Sequence, residues 1–97
     1  MARRTRKPTL PGEFLHEDFL VPMGLTQRQL AEHIGCDIKV INRLVNGRTR
    51  VTAEMALKLG AAFGTTPEFW LNAQKAVDLF EARAATKALP RRIRKAG

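Results

Sequence analysis

The sequence has a single cysteine and no long apolar segment, and both absences limit what the chain can be. Cys36 has no partner for an internal disulfide, which suits a reducing cytoplasm, and we interpret it as a small apolar residue near a turn. No apolar run approaches the roughly 18 residues of a membrane span. None follows the basic N-terminus as it would in a signal peptide. We therefore expect a cytoplasmic protein without membrane association.

The sequence also lacks the residue patterns on which catalysis and metal binding depend. His16 and His33 are seventeen residues apart, and no cysteine or carboxylate completes the ligand spacing of a metal site. No phosphate-loop glycine pattern is present. Glu13 and Glu17 could pair on one helix face, but we expect no cleft that would exclude water from them. The sequence predicts no enzyme activity, metal, cofactor or small-molecule ligand.

Positive charge is concentrated at the two ends of the chain. Residues 1–10 carry four basic side chains and residues 87–97 carry five, whereas residues 11–86 hold eight basic and nine acidic ones. These divisions predict a basic disordered arm, one folded domain and a basic tail, in that order. Such ends bind polyanions without specificity, so the net charge of +8 alone does not identify a DNA-binding protein.

Apolar spacing and capping residues predict five helices and no strand. The predicted helices cover residues 12–21, 27–34, 38–46, 53–63 and 67–85. Thr26 and Gln29 have the spacing of a capping box, Asp37 and Thr52 are suited to N-caps, and Thr66 precedes a proline at the first helical position. No segment shows sustained alternation of apolar and polar residues. The sequence therefore predicts an all-α domain.

The second and third predicted helices have the spacing of a helix-turn-helix. Only residues 35–37 separate them, and Gly35 permits a sharp turn. Ala31 in the second helix is small enough for a close crossing, which Ile41 and Leu44 would fill. Any one of these features is weak evidence, but the combination is fairly specific.

The opposite face of the third helix carries side chains that can read DNA. At ~100° per residue, four exposed residues fall together: Lys39, Asn42, Arg43 and Asn46. Arginine or lysine can bind guanine O6 and N7, and asparagine can pair with adenine. An ordinary polar face mixes glutamate with lysine, whereas the segment from Ile38 to Ala53 has no acid. We therefore predict DNA binding by this face.

Neighbouring residues are predicted to fix the position of the protein on DNA. Arg48 and Arg50 would reach the flanking backbone, and Gln27 and Arg28 would bind a phosphate at the positive end of the second helix. The alternative for Gln27 and Arg28 is an ordinary solvated first turn. Ile38 either meets a thymine methyl group or packs inside.

Two segments of the sequence resemble known families. The helix-turn-helix class of the lambda-repressor/Cro-like (XRE-type) proteins is resembled by residues 25–64, LTQRQLAEHIGCDIKVINRLVNGRTRVTAEMALKLGAAFG. The HigA (VapI-like) antitoxins are resembled by the motif that follows the fourth predicted helix, PEFWLNAQ. The resemblance covers roughly residues 8–83. It implies a five-helix lambda-repressor-like fold and a homodimer that binds operator DNA, in the nucleoid when bound. It also implies repression of the protein's own operon and neutralisation of a cognate HigB-type toxin, an mRNA-cleaving ribonuclease. The DNA-facing positions that match are Gln27, Ile38, Lys39, Asn42, Arg43 and Asn46.

The fifth predicted helix has an apolar band broader than one packing face requires. Phe69 and Trp70 fit a core, but Leu71, Leu79 and Phe80 lie on other sides of the helix. We interpret these three residues as a dimer interface, since two recognition helices would then meet successive major grooves. Core packing is the alternative.

The first predicted helix offers a candidate surface for a protein partner. Glu13, Glu17 and Leu20 fall on one stripe, and an exposed leucine among carboxylates suits a basic partner such as the toxin. The alternative is that the glutamates only keep the helix soluble.

The length of the chain bears on how DNA would be released. With no room for a ligand domain, we expect release by a partner protein or by proteolysis, which favours an antitoxin over a metabolite-sensing repressor. Two alternatives stay open. One is a stand-alone phage-type or plasmid-type repressor without a toxin, and the other is a basic protein that binds RNA or DNA through its tails.

Overall fold

A computed structural model describes residues 7–94, and within that range the chain forms five helices and no strand. Helix α1 has three successive segments, an α-helical turn Pro11–Phe14, a π-helical stretch Leu15–Leu20 and a last turn Val21–Met23. The others are α2 Gln27–Ile34, α3 Ile38–Val45, α4 Ala53–Phe63 and α5 Pro67–Ala85. The all-α prediction is confirmed. Residues 1–6 of the basic arm and 95–97 of the tail lie outside the described residues, and residues 86–94 are exposed and without regular structure.

Side-chain caps set the ends of α2 and α3. Thr26 Oγ1 accepts from the Gln29 N–H at 3.0 Å, and Gln29 Oε1 accepts from the Thr26 N–H at 2.9 Å, as a capping box requires. Gly35 ends α2 with a φ of 75°, a conformation that glycine adopts without steric cost. Asp37 then accepts from the Lys39 N–H at 2.8 Å and begins α3. The turn between α2 and α3 therefore contains only three residues.

The core has an aromatic half, in which Trp70 of α5 is fully buried. The rings of Phe19, Phe69 and Phe63 surround the indole at centroid distances of 5.3, 5.0 and 6.4 Å. Its Nε1–H donates to Thr65 Oγ1 at 2.8 Å, so the buried polar atom of the indole is satisfied. This cluster joins α1, α4 and α5 into one body.

The other half of the core holds the helix-turn-helix together. Leu30 and Ala31 of α2 are buried with Ile41 and Leu44 of α3, and all four belong to the same apolar cluster as Trp70. Full burial of one leucine or isoleucine side chain stabilises the fold by about 1.5–3 kcal/mol. The predicted crossing of α2 and α3 is thus filled as expected.

Leu20 is buried, and the prediction that it lies exposed beside Glu13 and Glu17 is wrong. The reason is the π-helical stretch of α1, in which the Val21 N–H bonds to the His16 oxygen five residues earlier. The wider turn shifts later residues around the axis relative to an α-helical wheel. Leu15 and Leu20, five residues apart, therefore both enter the core.

Gly12 lets the start of α1 touch the end of α3. A Cβ atom at this buried position would overlap the main-chain oxygen of Leu44 and come to 3.0 Å from the Cα of Val45. Because the obstructing atoms belong to the backbone, they cannot rotate away as a flexible side chain would. The contact therefore sets how far the C-terminal end of α3 lies from α1.

We predict that Gly12→Ala lowers the free energy of unfolding by roughly 1–3 kcal/mol, the usual cost of forcing extra volume into a packed site. Urea titration measures this loss, and amide chemical shifts should change at Leu44 and Val45. Gly24→Ala is the matched control, because Gly24 has a φ of 62° but open space where a Cβ would lie. Its cost should come from backbone strain alone and leave the α3 amides unchanged. An unaltered α3 spectrum in Gly12→Ala would contradict the proposed contact.

Candidate DNA-binding surface

Helix α3 presents opposite faces to the core and to solvent. Ile41 and Leu44 are 0% and 2% exposed. The four polar residues predicted on the other side are all exposed, and we call them the polar face of α3: Lys39, Asn42, Arg43 and Asn46. Ile38, at the start of the helix, is half-buried and packs against the core. The helix is thus anchored on one side and accessible on the other.

The start of α2 lies beside the polar face of α3. Asn42 Nδ2 donates to Gln27 Oε1 at 3.2 Å, which joins side chains fifteen positions apart. Gln27 is half-buried and its neighbour Arg28 is exposed. The structure thus brings together the residues predicted to read bases and those predicted to bind a phosphate.

The loop after α3 is attached to α5 by a group of hydrogen bonds that we call the loop clamp (Arg50, Val51, Gln74 and Asp78). Two guanidinium nitrogens of Arg50 donate to the two carboxylate oxygens of Asp78, each at 2.7 Å. Gln74, only 8% exposed, accepts from the Val51 N–H at 2.9 Å and donates to Asp78 Oδ1 at 3.1 Å. Bidentate pairs of this kind are strongly directional.

The loop clamp gives the two predicted backbone-contacting arginines different surroundings. Arg48 and Arg50 are both exposed, but the Arg50 guanidinium is already held by a carboxylate. In the free protein Arg50 therefore positions the loop. Sequence reasoning missed Gln74 and Asp78. The one available signal was a glutamine between Trp70 and Val77 on the apolar side of α5, where a buried amide needs a partner.

The charges in the loop clamp stabilise one another. Hydrogen bonds from Arg50 and then from Gln74 hold the pKa of Asp78 below its ordinary value of 3.8. The hydrogen bond to Asp78 and its charge raise the pKa of Arg50. A carboxylate with a lowered pKa stabilises the fold above its unfolded-state pKa, and this contribution disappears as the pH falls through the folded-state value.

Other predicted site residues have well-defined surroundings. Glu13 Oε1 accepts from the Leu10 N–H at 2.8 Å, and Glu17 Oε2 lies 3.0 Å from His16 Nδ1. In α5, Leu71 is half-buried against the core, whereas Leu79 is 43% exposed. Phe80 is half-buried. Glu13 thus takes part in the start of α1, and Leu71 is less available to a partner than Leu79.

Two further features concern chemistry and membranes. Over residues 7–94, no group of three histidine, cysteine, aspartate or glutamate side chains lies close enough to hold a metal ion. Burial raises the pKa of the half-buried Cys36 thiol. None of the helices in the described range is long and apolar enough to cross a membrane.

The three-residue turn between α2 and α3, with α3 buried on one side and basic on the other, defines a helix-turn-helix protein. The family model for the helix-turn-helix matches residues 17–71. The chain is 48% identical to antitoxin HigA-1 of Vibrio cholerae over 83 residues, which cover 86% of this chain and 78% of the relative. This chain belongs to the HigA family of antitoxins, and the resemblance noted in the sequence is confirmed.

Solved structures of similar proteins share the fold. The Pseudomonas aeruginosa antitoxin HigA, solved with the higBA promoter, is 33% identical with a TM-score of 0.79, over 81% of this chain and 86% of that one. An addiction module antidote protein of a HigA family from Coxiella burnetii is 39% identical with a TM-score of 0.77, over 81% and 86% of the two chains. The predicted lambda-repressor-like arrangement is thus confirmed.

We predict that Asp78→Asn loosens the loop clamp and lowers the free energy of unfolding at pH 7, because the Arg50 guanidinium loses its charged partner. Urea titration at pH 7 and at a pH well below 3.8 measures the effect. The difference between the two proteins should disappear at the acidic pH, where Asp78 itself is protonated. Glu81→Gln is the matched control on the same helix and should change stability less. A difference that persisted in acid would show that the variant acts through something other than this charge.

Proposed function

We propose that this protein is a homodimeric antitoxin that binds the operator of its own operon through α3 and neutralises a cognate HigB-type toxin. The polar face of α3 carries the proposal, because it is exposed, free of acid and held by a buried opposite side. The similarity to a HigA protein solved with the higBA promoter supports promoter binding by this chain.

The dimensions of α3 suit the major groove. The groove of B-DNA is about 12 Å wide and admits one α-helix, so the polar face would meet the base edges. Arg28 and Arg48 are exposed on either side of it, at the start of α2 and in the loop after α3. Their charges would bind the phosphates that flank the groove and so fix the orientation of α3.

Helix α5 supplies the proposed dimer contact. An apolar groove at the C-terminal end of the helix is lined by Leu79, Ala82, Arg83, Thr86 and Leu89. Phe80, the next residue after Leu79, is half-buried. A second copy packed here would cover these side chains. The two recognition helices of such a dimer would read half-sites about 34 Å apart.

We predict that Asn42→Ala and Arg43→Ala each cost about 1–3 kcal/mol of operator binding and relax base preference at one position per half-site. Arg48→Ala should weaken binding to all DNA alike and reduce the salt dependence, because it removes a phosphate contact. Fluorescence anisotropy with the upstream DNA of the operon, a single half-site and random duplex measures both effects. Wild-type binding by Asn42→Ala and Arg43→Ala would refute the assignment. Equal affinity for one half-site and the full palindrome would refute the dimer.

The surface proposed for the toxin lies on α1 and is revised by the burial of Leu20. A nuclease that holds RNA needs a basic surface, which the exposed carboxylate of Glu17 can attract. Val21, four residues further along α1, is 58% exposed and can supply the apolar contact. Glu13 is a poor position for a test variant, because its carboxylate helps to begin α1.

We predict that Glu17→Lys combined with Val21→Asp weakens toxin neutralisation and preserves operator binding, because α1 and the polar face of α3 are separate surfaces. Growth rescue during co-expression with the adjacent toxin gene measures the first effect, and anisotropy without toxin measures the second. Asp18→Lys is the matched control for a charge reversal on the same helix. Full rescue by the double variant would place the toxin elsewhere. No rescue by the unaltered protein would favour a stand-alone repressor.

A further inference from the structure

Three side chains form one hydrogen-bonded chain across the surface where α2 and α3 meet. Asn46 Nδ2 donates to the main-chain oxygen of Asn42 at 2.9 Å and to Asn42 Oδ1 at 3.3 Å. Asn42 Nδ2 in turn donates to Gln27 Oε1 at 3.2 Å. We call this set the amide chain (Gln27, Asn42 and Asn46). It includes two members of the polar face of α3, so DNA bound there would meet it.

A single main-chain carbonyl determines the direction of these hydrogen bonds. A carbonyl oxygen only accepts, so the Asn46 amide must turn its Nδ2 toward the main chain of Asn42. The same Nδ2 lies beside the Asn42 side chain, so Asn42 must present Oδ1 to Asn46 and Nδ2 to Gln27. Gln27 then accepts through Oε1. Reversing any one amide would place two donors or two acceptors against each other.

The remaining hydrogen-bonding capacity of Asn42 matches one base. Each end of its amide makes one hydrogen bond within residues 7–94, which leaves one N–H and one lone pair. Bidentate pairing with adenine needs one donor for N7 and one acceptor for the N6 amino group. Gln27 Nε2 makes no hydrogen bond to the residues that the structure describes, so both of its N–H groups can donate to an acceptor on DNA.

We propose that Gln27 is a specificity-determining residue that holds the Asn42 amide in one of its two orientations and donates through Nε2 to a DNA acceptor. This inference rests on the proposed function. An amide that rotated freely would offer donor and acceptor in either order and discriminate bases less. Because the hydrogen bond to Gln27 already fixes the Asn42 amide, this side chain also loses less conformational freedom when DNA binds. The acceptor for Nε2 is a phosphate oxygen or a base acceptor.

A double-mutant cycle between Gln27 and Asn42 tests the proposal. Anisotropy is measured with the operator and with duplexes altered at the base pair where Asn42→Ala changes preference. Asn42→Ala should reduce discrimination there by about 5- to 150-fold. Gln27→Met removes the acceptor at similar length and should reduce it at least about 2-fold, the lower range for coupled neighbours. In the Asn42→Ala background, Gln27→Met should have no further effect on discrimination.

Two variants separate the roles of the Gln27 amide. Gln27→Glu keeps an oxygen for Asn42 Nδ2 but loses both donors, so base discrimination should persist while affinity for all DNA falls. Arg28→Met is the matched control outside the amide chain, and it should lower affinity without changing base preference. Thermal melting of each variant confirms that the fold is retained.

Modified duplexes identify the acceptor that Nε2 contacts. If the acceptor is a phosphate, replacing that phosphate with one neutral methylphosphonate should abolish the effect of Gln27→Glu on affinity. If the acceptor is a purine N7, replacing that base with one 7-deazapurine should abolish the effect. An effect that no such modification changes would overturn the donor role.

The remaining outcomes are equally decisive. Equal effects of Gln27→Met on discrimination in both backgrounds would overturn the inference, as would unchanged discrimination in Asn42→Ala. A protein that binds no DNA sequence-specifically before any substitution would contradict the proposed function itself, so the two failures are distinguishable.

Discussion

The contact of α3 with the rest of the domain determines where every side chain on its polar face lies. Ile41 and Leu44 are completely or almost completely buried, and the main chain of α3 touches α1 at Gly12, where no Cβ would fit. An eight-residue helix is marginal in isolation, so its stability comes mainly from this packing. The polar side chains are therefore presented from a fixed backbone.

Polar contacts then refine what the apolar packing has placed. The amide chain connects the start of α2 with the end of α3, and the loop clamp connects the residues after α3 with α5. Both sets of hydrogen bonds are partly exposed to solvent, which weakens their contribution to the free energy of folding. Their main effect is therefore to orient the side chains. Orientation matters for a DNA-binding surface, because a base edge is recognised by the order of its donors and acceptors.

The loop clamp also joins two proposed roles of the molecule. Gln74 and Asp78 belong to α5, and Leu79 and Phe80 directly follow Asp78 in the same helix. A second copy packed on α5 would therefore lie close to the residues that hold the loop after α3. In the proposed dimer, these hydrogen bonds would link dimer formation to the position of Arg48 beside the DNA.

Local patterns in the sequence determined the five helices and the three-residue turn between α2 and α3. Caps such as Thr26 and Asp37 act on N–H groups two or three residues away, so the information is contained in adjacent positions. The division of α3 into an apolar and a polar side likewise follows from regular helical spacing. The motif PEFWLNAQ sufficed for the family, because it is more specific than the helix-turn-helix pattern.

Tertiary structure alone decided the remaining features of the surface. Leu20 is buried because α1 includes a π-helical stretch, which its residue pattern does not show. Gln27, which bonds to Asn42, is fifteen positions away from it, and Asp78, which bonds to Arg50, is twenty-eight positions away. Only the packing of α2 and α5 against the rest of the domain brings these pairs within hydrogen-bond range. Residue types predict which groups can bond, whereas which groups meet depends on contacts between elements that are far apart in the chain.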